Sequence, residues 1–103
     1  MARIVVSLAA QADAATIIRD LSEKAGYSVA AEYAASFEAL YDRLAVHPDS
    51  GAPRDAFGPH VHIGLGSPHI VAYRHVPNTD FVGIIRIIHG SRRITRKLLR
   101  GAS

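Results

Sequence analysis

Three side chains in the second half of the sequence could contact phosphate or carry a proton. Arg74 and Arg86 lie in the middle of two apolar, strand-like segments, and His89 stands where the second segment ends. An arginine in an apolar strand is costly unless its guanidinium meets an anion or another hydrogen-bonding partner. A histidine can donate or accept a proton near neutral pH. These residues therefore predict a functional face on a sheet.

The sequence leaves open whether the two arginines share that face. With strict alternation, Arg86 lies on the same side of its strand as Val82 and Ile84. Whether Arg74 lies on the same face depends on the register of the hairpin between the two strands. The alternative is that each arginine packs its aliphatic stem on the sheet and extends its charge into solvent.

Other kinds of site are weakly supported. His60 and His62 have the two-residue spacing of half a metal site, but the chain has no cysteine and no Asp or Glu nearby to complete a ligand set. We expect them to face solvent. No nucleophile arrangement, glycine-rich phosphate loop or carboxylate pair accompanies His89. The sequence therefore predicts no catalytic residue, no metal and no cofactor.

Charge divides the chain in two. Residues 1–58 carry five basic and eight acidic side chains, which gives −3, whereas residues 59–103 carry seven basic and one acidic, which gives +6. The sum is the net charge of +3. A basic end of this kind attracts phosphates or an acidic protein partner, although a solvated tail is the plain alternative.

The first half of the chain predicts a strand and two helices. Residues 3–8 are rich in β-branched side chains, and Ser7 can cap the helix that follows and that Gly26 ends. Ser28 can cap a second amphipathic helix, which must stop before Pro48. Two helices joined by so short a turn form an antiparallel hairpin whose apolar face needs a sheet to cover.

The second half predicts three strands, at residues 61–65, 70–76 and 81–89, with connections short enough for hairpins. The order β-α-α-β-β-β predicts an α+β fold in which an N-terminal helical hairpin packs on a mostly antiparallel sheet. The last strand is apolar on both faces, so we expect helices on one side and another element or molecule on the other. The predicted core comprises Ile17, Leu21, Phe37, Leu40, Leu44, Tyr73, Ile85 and Ile87.

The expected location is the cytoplasm. The chain lacks cysteine, shows no export signal at its start, and has no run of about 20 apolar residues that could span a membrane. We therefore expect no contact with a membrane.

Three segments stand out by their order and spacing: Leu44-x-x-His47-Pro48-x-x-Gly51, Ile70-Val71-Ala72-Tyr73-Arg74, and Ile84-Ile85-Arg86-Ile87-Ile88 leading into His89-Gly90-Ser91-Arg92. On this order and spacing the chain resembles, from residue 3 to residue 94, ParE-type toxins of the ParE/RelE toxin-antitoxin superfamily. RelE-type nucleases more often close this strand with Gly-His-Arg-Arg-Asp and a following Tyr. Here the order is His-Gly, as in the ParE branch, and Arg93 stands where Asp is frequent.

The resemblance implies a toxin that inhibits DNA gyrase and blocks replication, and that is not an enzyme. Its implied partners are a cognate ParD-like antitoxin and gyrase, with operator DNA contacted only through the antitoxin complex. Two alternatives stay open. One is a ribosome-dependent mRNA endonuclease that uses Arg74, Arg86 and His89, and the other is a non-toxic homologue that acts only in regulation of its own operon.

We predict one toxin domain over residues 1–94 and a basic C-terminal tail over residues 95–103. The predicted residues for binding the target or the antitoxin are Tyr73, Arg74, Arg86, His89, Arg92, Arg93 and Arg96. An acidic, amphipathic antitoxin segment is expected to fill an apolar groove with a basic rim, placing carboxylates near Arg86, Arg92 and Arg93.

Overall fold

The computed structural model describes residues 1–66, 68–90 and 99. Its elements are β1 (Arg3–Val6), α1 (Leu8–Ala25), α2 (Tyr27–Val46), β2 (Ala52–Pro53), a 3-10 turn (Asp55–Phe57), β3 (Val61–Gly66), β4 (His69–Arg74) and β5 (Phe81–His89). The strands form a sheet in the order β1-β5-β4-β3-β2. β1 runs parallel to β5, and the other pairs are antiparallel. The predicted α+β fold is confirmed, with the short β2 as an addition.

Local sequence determines where the helices begin and end. The Ser7 side chain accepts a hydrogen bond from the Ala10 amide at 3.0 Å, as expected for an N-cap. Gly26 has a φ of 97°, which favours glycine, and it is the only residue between the two helices. The second helix therefore begins at Tyr27, one residue before the predicted cap Ser28, because the tight turn at Gly26 already redirects the chain.

The core lies between the helical hairpin and one face of the sheet. Five of the eight predicted core side chains are buried there: Phe37, Leu40, Leu44, Tyr73 and Ile87. Ile17 packs against this core from its edge. Leu21 is half-buried and lies beyond Ile18, the last residue of α1 that packs against the core. Ile85 packs on the opposite face of the sheet.

A β-bulge in β5 explains how this strand serves two apolar faces. Ala72 pairs with Arg86 and Tyr73 pairs with Ile84, so Ile85 is an extra residue in the ladder. Val82 and Ile84 face the helices, whereas Ile85 and Ile88 join a second cluster on the other face, which we call the back face. The strict alternation predicted from the sequence is therefore wrong beyond Ile84.

The back face has its own small apolar cluster. Its buried residues are Val61, Ile63, Ala72, Ile88 and Leu99, with Phe57, Ile70 and Ile85 packed against them. No helix of the hairpin covers this side, so the sheet is apolar on both faces, as β5 predicted.

Side chains of α1 complete the edge of β5 where β1 ends. Val6 pairs with Ile84, and beyond this pair no described strand lies beside β5 on the side opposite β4. The Ser7 hydroxyl donates to the Ile85 carbonyl at 2.8 Å, and the Asp13 carboxylate accepts from the Ile87 amide at 3.0 Å. These bonds satisfy backbone groups that would otherwise stay unpaired beside the core.

Replacing Phe37 by Ala should lower the free energy of unfolding by about 3–5 kcal/mol, because the loss of a buried aromatic ring leaves a cavity in the core. Urea unfolding followed by circular dichroism measures this change, and the exposed Glu38→Ala change is the control. A loss below about 1 kcal/mol would show that α2 packs on the sheet through a different face.

Candidate functional site

The back face carries a groove at the β1 end of the sheet. The back-face groove has a volume of about 450 Å³ and is lined by Val5, Ser7, Phe57, Arg74, Val76, Phe81, Gly83, Ile84, Ile85 and Leu99. Its lining is largely apolar, and Val5 and Phe81 remain 48% and 41% exposed. Large exposed apolar side chains gathered around a groove are typical of a protein-binding surface.

Arg74 is the one cation that lines this groove within the described part of the chain. Its side chain is exposed, and its Nε donates to the Pro59 carbonyl at 3.1 Å. Because Arg86 pairs with Ala72 and Arg74 follows two residues later on β4, both arginines project from the back face. The register therefore answers the question that the sequence left open.

Arg86 does not extend into the groove but turns back to α1. Its Nε and Nη2 donate to the two oxygens of Asp13 at 2.7 and 2.8 Å. These hydrogen bonds raise the pKa of Arg86 above its ordinary value, so the guanidinium stays charged. In this fold the charge of Arg86 is engaged by a partly buried carboxylate, and its role in binding a target stays a prediction.

Tyr73 is also a structural residue. Its side chain is fully buried under the helices, and its hydroxyl oxygen accepts from the Gly51 amide at 2.9 Å. A Cβ at residue 51 would lie 2.6 Å from that oxygen, which explains why glycine occupies the position. Burial raises the pKa of Tyr73, which keeps the phenol protonated. Tyr73 is thus a core residue in this fold, and its direct contact with a partner stays a prediction.

His89 lies at the far end of the sheet from Arg74. It pairs with His69 and its ring meets the His69 ring edge-on, with centroids 5.5 Å apart. The buried His69 ring also contacts Tyr33 and Phe37 of α2, which places this pair on the helix face.

The three residues of the nuclease alternative are not brought together. Arg74 pairs with Gly83, and His89 follows six residues later along β5 on the opposite face. Six residues of strand span roughly 20 Å, which is far beyond the reach of one phosphate group. Arg86 lies between them and is paired with Asp13.

The histidines considered for metal binding take separate positions. His60 is an exposed turn residue with a φ of 60°, whereas His62 stacks on the Tyr73 ring at a centroid distance of 5.3 Å. Against expectation, His62 does not face solvent and has a carboxylate nearby, since Asp49 lies 3.9 Å from it and 2.9 Å from His75. Within residues 1–66, 68–90 and 99, no three potential ligands are grouped so as to hold a metal ion.

The remaining predicted site residues, Arg92, Arg93 and Arg96, lie outside the described residues. Among the residues that are described, no helix is long and apolar enough to cross a membrane.

A comparison with protein families identifies the chain. The family model of the ParE toxin of the type II toxin-antitoxin system, parDE, matches residues 4–94. The chain belongs to the ParE toxin family. A solved structure described as the chromosomal ParDE TA system from P. aeruginosa has a similar fold, with a TM-score of 0.71 at 21% identity over 86% of this chain and 96% of that one. None of the curated proteins compared with it is similar in sequence.

Sequence reasoning missed two residues on which this ParE fold depends, Asp13 and Gly51. Asp13 stands three residues after Ala10 and four before Ile17, so it shares the inward stripe of α1 with them although its side chain is charged. A carboxylate on that stripe indicates a buried partner cation. Gly51 lies in the segment that carries the family resemblance, and its contact with Tyr73 gives a physical reason for it.

We expect Asp13→Asn to destabilise the protein by about 2–4 kcal/mol, since it leaves the Arg86 charge without its carboxylate in a partly buried site. A double-mutant cycle with Arg86→Met, measured by urea unfolding, should give a coupling energy of about 1.5–3 kcal/mol. The exposed Asp20→Asn change is the control. A coupling energy below about 0.5 kcal/mol would contradict the structural role of the pair.

The stability of the protein should fall at acidic pH because of His69. Burial, and next the neighbouring His89, lower the pKa of His69. The folded state therefore resists a proton that the unfolded chain takes up below about pH 6.5, so stability is lost as the pH falls through that value. His69→Phe should reduce the loss in unfolding free energy between pH 7.5 and pH 5. If His69→Phe leaves the pH dependence of the unfolding free energy unchanged, His69 is not the cause of the loss of stability at acidic pH.

Proposed function

We propose that this ParE-family protein is a growth-arresting toxin that acts by binding DNA gyrase, and that a ParD-like antitoxin neutralises it. Family membership supports the toxin-antitoxin part of the proposal. The separation of Arg74, Arg86 and His89 carries the choice of a binding toxin over an mRNA endonuclease. Catalysis of phosphate cleavage requires charge-stabilising and proton-transferring groups around one phosphate.

We further propose that the antitoxin covers the back-face groove with an acidic, amphipathic segment. The groove is an apolar surface of the kind that soluble proteins seldom leave without a partner. The chain from residue 59 onward is strongly basic, with Asp80 as its single acidic residue. Apolar side chains of the antitoxin would anchor in the groove, and its carboxylates would guide association. Operator DNA would be bound through the antitoxin of this complex.

Inducible expression of the chain in bacteria tests the proposed target. We expect filamentous cells and an SOS response, because stalled gyrase leaves broken DNA, and we expect co-expression of the ParD-like antitoxin to restore growth. The purified protein should inhibit supercoiling by gyrase and should leave mRNA intact on programmed ribosomes.

Other outcomes would overturn the proposal in different ways. Immediate translation arrest, with a ribosome-dependent cut that Arg74→Ala or His89→Ala abolishes, would establish the endonuclease alternative. Normal growth with a well-folded, soluble protein would instead favour a homologue that acts only in operon regulation.

A further inference from the structure

Arg74 differs from the other arginines whose side chains the structure describes around the sheet. It is exposed, it lines an apolar groove, and no carboxylate of a described residue lies within 4.0 Å of its guanidinium. Arg86, on the same face, is neutralised by Asp13. Arg74 therefore brings to the back-face groove a positive charge that no carboxylate of the described residues compensates.

The turn before β3 keeps this guanidinium in place. Nε is bound to the Pro59 carbonyl, and the residues on either side of Pro59 are bonded to the backbone in turn. The Gly58 amide donates to the Asp55 carbonyl at 3.0 Å, and the His60 carbonyl accepts from the His75 amide at 3.2 Å. Positioning of this kind lowers the entropy that the side chain loses when it binds an anion.

Gly58 lets the guanidinium lie close to the turn. Its φ of 137° favours glycine, and a Cβ at this position would lie 3.2 Å from Arg74 Nη2. With Nε used by Pro59, the two terminal nitrogens of Arg74 have no hydrogen-bond partner among the described residues. Two adjacent N–H donors of this kind fit the two oxygens of a carboxylate.

We propose that Arg74 is the residue of the back-face groove that determines which antitoxin the toxin accepts. It binds a carboxylate of the antitoxin segment through its terminal nitrogens, next to a large apolar antitoxin side chain that packs between Phe57, Phe81 and Ile85. This inference rests on the proposed placement of the antitoxin and adds the contact that confers specificity. A partner with the apolar anchor but without the carboxylate leaves the Arg74 charge unpaired as the groove closes, which disfavours it.

The charge complementarity favours an acidic peptide as the occupant. Asp80 is the single acidic side chain beyond residue 58, so the basic half itself offers few partners for its cations. The groove lining offers apolar contacts on the other sides of Arg74, which matches an amphipathic segment and not a uniformly charged one.

The test measures binding of the full chain to the ParD-like antitoxin of its own operon at two salt concentrations. Arg74→Met keeps the aliphatic stem and should raise Kd about tenfold while weakening the salt dependence of association. Arg74→Lys keeps the charge, but a single ammonium group cannot bind the Pro59 carbonyl and both oxygens of a carboxylate at once. We therefore expect an increase in Kd smaller than that of Arg74→Met. Thermal unfolding confirms that each variant is folded.

Arg54→Met is the matched control, because Arg54 is also exposed and also donates to a backbone carbonyl, that of Pro53, but it does not line the groove. It should change Kd less than about twofold. Arg74→Glu should abolish binding, and a carboxylate-to-arginine change at one position of the antitoxin should restore it. That rescue would identify the partner carboxylate.

Two further variants separate this inference from the proposed antitoxin surface. Val76→Lys and Phe81→Lys place a charge in the apolar groove and should weaken binding far more than Arg74→Met does. If they weaken binding but Arg74→Met stays within twofold of the original chain, the groove is the interface and the role of Arg74 is wrong. If neither matters, or the antitoxin does not bind, both proposals are overturned.

Discussion

The central part of this fold depends on the hydrogen bonds that the Asp13 carboxylate accepts from β5. This carboxylate accepts hydrogen bonds from the Arg86 guanidinium and from the Ile87 amide, so one side chain of α1 satisfies both a charge and a strand edge. β1 is only four residues long, so beyond Ile84 no other described strand pairs with the edge of β5 that faces away from β4. Without Asp13, the Ile87 amide would lose its acceptor and the Arg86 guanidinium would lose its carboxylate, at a cost of several kcal/mol.

The bulge at Ile85 and the pairing of Asp13 with Arg86 depend on each other. The nearly continuous apolar residues of β5 pack on both faces of the sheet. The extra residue Ile85 shifts the alternation, so that Arg86 lies on the back face and Ile87 packs against the helices. Arg86 then lies among apolar neighbours, where an unpaired guanidinium would be unfavourable. Its pairing with Asp13 removes that penalty, and among the described residues Arg74 is the cation that lines the back-face groove.

The sequence predicted the order of elements well because each signal was local. The Ser7 cap, the glycine between the helices and the apolar stripe of α2 depend on neighbours within a few residues. The face of Arg86 could not be predicted, because a bulge is decided by how β5 fits two faces at once. Asp13 and Arg86 are 73 positions apart in the sequence, and Gly51 and Tyr73 are 22 positions apart. No periodicity of the sequence links positions at such separations.

The candidate site illustrates why residue type alone is a weak guide to function. Tyr73, Arg74 and Arg86 all belong to the sequence motifs of β4 and β5, yet their surroundings differ. Tyr73 is a core residue, Arg86 binds Asp13 at the edge of the sheet, and Arg74 is exposed. The difference arises from their partners. Gly51 binds the Tyr73 hydroxyl and Asp13 binds Arg86, whereas among the described residues Arg74 is bound by the Pro59 carbonyl alone. Of these three residues, Arg74 is therefore the one whose side chain keeps donors available for a contact outside the described part of the fold.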